Sequence, residues 1–297
     1  MPHRRDSHVS AKCALILAAA LSALANASDA LHWTPPALVT DQYESSPTFS
    51  PDGRDMFLFR GDRSFSHYQL LYSRCVNGHW SAGIRPGFAA PPPVDEADPA
   101  FSPDGTRLYF VSTREDPRPN DEPDLDIWFV DRETSGRWGR PERLPQPVNS
   151  PATELLPRPQ QDGSLVFGSN RAGGLGGNDI YVARRDGNRW RVENIGAPVN
   201  TAANEYEAEL SRDGQLMIVI ADRGDRSHIY PYRLAHGRWV AHPRIVPRLE
   251  VFQVGPLLSP RGDRLLFAQT EGAHSGELFL LDLAEDVDLN WPPACPR

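Results

Sequence analysis

Carboxylates recur in this chain at a fixed interval. Glu44, Glu96, Glu154 and Glu205, with Gln253 in the fifth place, each stand six residues before a turn. The turns read Ser50-Pro51-Asp52-Gly53, Ser102-Pro103-Asp104-Gly105, Gln160-Gln161-Asp162-Gly163, Ser211-Arg212-Asp213-Gly214 and Ser259-Pro260-Arg261-Gly262. Acids gathered at one level of a ring are candidates to bind a cation or a basic peptide. They are also candidates for glycoside hydrolysis, which needs two carboxyl groups held at different pKa values. Near-equivalent positions do not offer that difference, and Glu209 is the acid that stands apart on its strand. Recurrence at one repeat position favours a shared hydrogen-bonding role, because repeats copy architecture more readily than active sites.

Other groups that could do chemistry are weaker. The stretch from Glu115 to Asp126 carries six acids in twelve residues, and calcium takes such oxygen ligands. It lacks the glycine and distal glutamate of an EF-hand, and Pro117, Pro119 and Pro123 suit a solvated, extended loop. The glycine-rich run Gly173 to Gly177 has no Lys-Ser/Thr and leads into a strand, so it is not read as a nucleotide site. Histidines are scattered without metal-ligand spacing, and no Gly-x-Ser-x-Gly elbow is present. Arg-Gly-Asp at 60–62, 223–225 and 261–263 is accounted for by turn composition. The expectation is therefore no catalytic residue, no metal and no cofactor, with calcium at 115–126 the weak alternative.

The elements that must position these groups follow from the period. Copies about fifty residues apart, beginning near 44, 96, 154, 205 and 253, imply units that bury their apolar faces only against one another. In the third copy, Leu155–Pro159, Ser164–Ser169, Asp179–Ala183 and Arg191–Ile195 read as four strands joined by Asp-Gly and Asn-Gly turns. The second and third strands are nearly all apolar, which requires cover on both faces. Pro47, Pro99, Pro157 and Pro256 fall in first strands, where proline marks an edge. The fold expected is all-β: a single five-bladed propeller of four-stranded antiparallel blades. Trp33 resembles the openings of the fourth strands at Trp80, Trp138, Trp190 and Trp239, so residues 32–39 are expected to pair with 277–281 and close the ring.

At Ser50-Pro51-Asp52-Gly53 and at Asn170-Arg171-Ala172-Gly173-Gly174-Leu175-Gly176-Gly177-Asn178-Asp179-Ile180-Tyr181 the chain resembles the TolB-type, WD-repeat-like propellers of bacterial envelopes. Gly196-Ala197-Pro198-Val199-Asn200-Thr201 and Asn204-Glu205 extend the likeness, which runs from Trp33 to Glu285. The resemblance implies a periplasmic protein-binding scaffold.

Composition is consistent with that reading. Of 297 residues, 29 are proline and 23 glycine, as suits many strands and tight turns. Residues 1–27 carry a basic start, an apolar run from Cys13 and the small-residue site Ala25-Asn26-Ala27, the layout of a cleaved signal peptide. The remainder, 28–297, is one propeller domain with a short tail over 286–297. The whole chain is at −8 and the processed chain near about −10, a charge that repels nucleic acid and anionic lipid. Cys75 and Cys295 survive processing and are expected to bridge in an oxidising compartment. The reading is a periplasmic or secreted monomer without membrane insertion, a non-catalytic scaffold for another envelope protein or a peptide. The rival is an exported, glycan-directed hydrolase.

Overall fold

The computed structural model describes residues 30–114 and 124–295. The leader 1–27 and most of the acidic loop, 115–123, lie outside the described residues. The described chain is all strand and turn, with no helix.

Five antiparallel runs follow the repeat. The first comprises β2 (Tyr43–Phe49), β3 (Asp55–Gly61), β4 (Gln69–Val76) and β5 (His79–Trp80). The second holds β6 (Glu96–Phe101), β7 (Arg107–Ser112), β8 (Asp126–Asp131) and β9 (Glu142–Arg143). The third is β10 (Glu154–Pro159), β11 (Leu165–Ser169), β12 (Asp179–Asp186) and β13 (Arg189–Asn194). The fourth is β14 (Asn204–Leu210), β15 (Leu216–Asp222), β16 (Ser227–Ala235) and β17 (Arg238–Ala241). The fifth has β18 (Gln253–Leu258), β19 (Arg264–Glu271) and β20 (His274–Asp282), and β1 (Leu31–His32) lies on β20. The second, third and fourth runs are separate four-stranded sheets. The first and fifth are joined by one parallel bridge, Tyr43 to Gly276, into a mixed eight-stranded sheet.

Apolar second strands build the core. Phe57, Phe110, Phe167, Ile218 and Phe267 are fully buried in one cluster that draws on all five repeats. Stacked sheets supply the cover that two-faced apolar strands need.

The turns between first and second strands share one construction. Ser50 Oγ donates to Asp52 Oδ1 (2.6 Å) and accepts from the Asp55 N–H (2.9 Å), and Ser102 and Ser211 repeat both bonds. Gly53, Gly105, Gly163, Gly214 and Gly262 hold φ between 67° and 80°, which a side chain would strain.

Four first strands break register at their proline, between Ser45 and Thr48, Ala97 and Ala100, Leu155 and Arg158, and Val254 and Leu257. A proline cannot donate to the ladder, so the strand bulges there. β14 carries Ala208 instead and shifts only between Glu205 and Glu207.

Two expectations need correction. Pairing of the N-terminal segment stops far short of residue 39. Leu31 and His32 oppose Leu280 and Phe279, the Trp33 N–H donates to Leu278 O (2.8 Å), and the chain then turns. Pro35 and Pro36 have no N–H with which to extend a ladder. In the second repeat Trp138 makes only an isolated bridge to Arg132, and the fourth strand forms later, at Glu142–Arg143.

Candidate functional site

The recurring acids are buried, with exposures of 0–1 %. Each glutamate meets an arginine of its own repeat, 16 to 18 residues further on, just where the second strand ends. Arg60 Nε donates to Glu44 Oε1 (2.5 Å), Arg114 Nε to Glu96 Oε1 (2.7 Å), Arg171 Nη2 to Glu154 Oε1 (2.8 Å) and Arg223 Nε to Glu205 Oε1 (2.9 Å). Hydroxyls four residues upstream complete three of the four sites: Thr40, Ser150 and Thr201. For Glu96 the Ala90 N–H serves (3.0 Å). The arginines also tie down preceding loops, as Arg114 does at Phe88 O and Arg223 at Val199 O. Gln253 has no such arginine. Its Oε1 lies 2.6 Å from His228 Nδ1, and its amide donates to Arg248 O and Val251 O.

Burial raises the pKa of Glu44 and Glu96, and that of Glu154 to about 7, although hydroxyls and arginines pull the other way. These residues are thus placed as clamps between strand and loop. Arg60 and Arg223 belong to two of the Arg-Gly-Asp triplets, so those side chains are engaged inside the protein.

A second set of charges lies beyond this collar, on the same first strands. Arg158 of β10 reaches three other repeats. Its Nη1 donates to Pro99 O (3.3 Å), its Nη2 to Pro256 O (2.9 Å), and its Nε lies 2.7 Å from Glu209 Oε2. Asp98 accepts from Ser46 Oγ and from the Leu156 N–H, both at 3.0 Å. Glu207 accepts from the Gly255 N–H at 2.7 Å. Carboxylates of β6 and β14 thus cap backbone donors of the next repeat, and Thr48 does the same for Phe101 N–H. Asp98, Glu207 and Glu209 keep 7–9 % exposure, so this inner set touches open space that the collar does not.

Three carboxyls face one guanidinium here. Burial raises Asp98, and raises Glu207 further with Asp98 beside it; Glu209 goes to about 7 despite Arg158. Of this set only Glu209 was singled out by sequence. Arg158, Asp98 and Glu207 occupy positions at which the repeats differ, and the lone Arg after a first-strand proline was the available signal.

Arg158 and Glu209 floor a bowl of about 390 Å³ on the turn side. Its rim is the shared turns, including Ser50, Ser102, Gln160, Arg212 and Ser259, and one wall is Trp291 and Pro293 of the tail. The turn carboxylate of the first repeat, Asp52, is held low by Ser50 and the Arg54 N–H, as Asp104 and Asp213 are in theirs.

Cys75 and Cys295 are bridged, with Cα atoms 5.2 Å apart. Asp126 is gripped by Arg143, at 2.6 and 2.8 Å. No group of three or more His, Cys, Asp or Glu arranged for a metal occurs among the described residues. The glycine-rich loop folds round Asp179, which accepts from the Leu175 and Gly176 N–H groups. A Cβ at Gly176 would come within 2.0 Å of Ala203 O.

No protein-family model matches the sequence, and no curated protein does. Solved structures resemble it at low identity. TolB of Acinetobacter baumannii superposes with a TM-score of 0.50 at 16% identity over 84% of this chain, which spans only 56% of that protein. A TolB protein of Agrobacterium tumefaciens gives 0.52 at 19% identity, covering 83% of this chain and 79% of the other. Zg3597, a family 117 glycoside hydrolase of Zobellia galactanivorans, gives 0.58 at 10% identity, covering 88% and 92%. At these identities the likeness speaks for fold. The chain has a TolB-like β-propeller fold.

Proposed function

We propose that this protein is an exported, non-catalytic binding platform: a monomeric ring of five blades, the fifth completed by β1, that holds another envelope protein or a peptide. The observation that carries this reading is the commitment of its acids. Every collar glutamate is locked to an arginine, and Glu209, at the floor of the bowl, is closed by Arg158. What the bowl offers a partner is a rim of stiff, hydrogen-bonded turns, a surface that loses little freedom on binding. The Cys75–Cys295 bridge supports export, since such bonds persist outside the cytosol.

Cross-linking in intact cells tests the platform, with Arg212→Glu on the rim as the comparison. The expected result is a captured protein that disappears with the variant. Equal capture by both would remove the bowl from the binding surface.

The hydrolase reading has two observations in its favour: the similarity to a glycoside hydrolase and the raised carboxyl of Glu209. Against it, the other carboxylate lining the bowl, Asp52, is tied into its own turn. Turnover of chromogenic glycosides that is lost in Glu209→Gln would establish it against the platform.

A further inference from the structure

The fifth repeat departs from the others at its collar. In the second, third and fourth repeats the ladder partner of the collar glutamate is Ser112, Ser169 or Ala221, and the collar arginine stands two residues beyond it. There each guanidinium lies over a third-strand ring: Arg114 at 5.5 Å from Trp128, Arg171 at 4.9 Å from Tyr181 and Arg223 at 4.2 Å from Tyr230. In the first repeat Arg60 is itself the ladder partner. The fifth repeat keeps the ring, as Phe279, but holds Gln269 and Glu271 at the two arginine positions. Among the described residues no guanidinium is stacked on Phe279.

A cleft of about 700 Å³ lies at this place, lined by Phe279, Gln269, Glu277, His32 and His274. Two of these side chains are buried in the fold. Gln269 is 1 % exposed, and its Oε1 is turned toward Gln253 Nε2 at 3.5 Å. Gln253 in turn gives its own Oε1 to His228, so the facing pair is fixed and Gln269 Nε2 has no hydrogen-bond partner. Glu277 is 2 % exposed. Asp126, at the same register in the second repeat, is gripped by Arg143 through two bonds. Glu277 has only imidazoles, His32 Nε2 at 3.2 Å and His274 Nδ1 at 3.6 Å. Arg248 also borders the cleft, but its charge is offset by Glu250 at 3.1 Å and Glu271 at 2.5 Å.

We propose that this cleft binds a guanidinium-bearing ligand, which takes the position that collar arginines hold in the other repeats. A planar guanidinium lies against Phe279 and donates its fork to Glu277, as its counterparts do to their rings and carboxylates. Gln269 Nε2 calls for an acceptor beside the cation. An arginyl residue of a protein supplies one in its carbonyl, and free arginine in its carboxylate. A lysine ammonium has neither the plane nor the fork. The cleft shares no lining residue with the bowl, so this site goes beyond the platform reading and does not rest on it.

Ligand-observed NMR titration of the folded, processed, oxidised protein tests the site. The probes are Nα-acetyl-arginine N-methylamide, the same derivative of lysine, and free L-arginine. The capped arginine is expected to bind with a Kd of about 1 mM or tighter, and the lysine probe at least about fivefold more weakly. Glu271→Arg places a collar arginine in the cleft from the protein's own chain, and should abolish binding without lowering the melting temperature. Glu277→Gln keeps the shape of the side chain and should weaken binding about tenfold. Either arginine probe may be the tighter without harm to the site: the capped one points to a protein side chain as the source, the free one to a small solute. Failure of both arginine probes to bind overturns the proposal. So does equal binding of the lysine probe, or binding unchanged in both variants. Arg212→Glu should bind the probes as the parent does, so the cleft and the bowl can fail separately.

Discussion

The collar and the inner set use the same chemistry, carboxylate against arginine, for different ends. In the collar each acid meets an arginine of its own repeat, and the clamp recurs four times with small variations. In the inner set one arginine serves three other repeats, and three acids are unequally provided for. The local clamp stabilises each repeat; the inner set couples repeats to one another and leaves excess carboxyl groups whose pKa burial raises. Position along the first strands, more than residue type, decides what an acid–arginine pair contributes.

The comparison breaks most sharply at Arg158. Arg158→Ala leaves Glu209 buried without its cation and should cost about 3–5 kcal/mol. Arg158→Met combined with Glu209→Gln should recover much of that loss, because a neutral pair needs no charge compensation. Urea unfolding of the two variants checks this, and equal destabilisation would mean that packing, not charge, is what Arg158 provides.

Collar substitutions should be milder and alike. Glu44→Ala, Glu96→Ala, Glu154→Ala and Glu205→Ala each strand donors and should lose about 1–3 kcal/mol. Gln253→Ala should lose less, since no arginine is left unpaired there. Four unaltered melting curves, with ligand binding weakened in each, would turn the collar into a binding site.

The smallest effect is a slope. With folded-state pKa values lifted to about 7 at Glu154 and Glu209 and raised at Glu207, the folded protein holds protons that the unfolded chain has already lost. The stability these protons bring is present in acid and fades as pH rises toward and past neutrality. The melting temperature should therefore fall between pH 5 and 8, about as expected from a few carboxyls released in that window. Glu207→Gln should flatten the slope and raise stability at pH 8 while changing little at pH 5. A slope unchanged in that variant would assign the effect to other groups.

Much of this was legible in the chain because repetition made it so. The four-residue turn ending in glycine occurs once per unit, and the first-strand proline and the glutamate six residues before the turn each occur in four of the five, so their positions are equivalent by construction. The arginine that partners each glutamate was missed, although a signal was there: Arg60, Arg114, Arg171 and Arg223 recur, and the fifth repeat loses arginine and glutamate together. The inner set was not legible, because Asp98, Arg158 and Glu207 sit where the repeats diverge and meet only through the fold. The length of the closing strand was misjudged from Trp33 alone, without the weight of Pro35 and Pro36.

The bridge between Cys75 and Cys295 encloses 220 residues of sequence separation in one covalent loop. A protease that cuts once anywhere inside that loop opens a ring instead of severing a chain. Both pieces stay attached, so the nicked molecule runs as a single species until thiols are added. Wherever proteases meet it, the molecule thereby keeps its parts together through damage that would divide a linear chain.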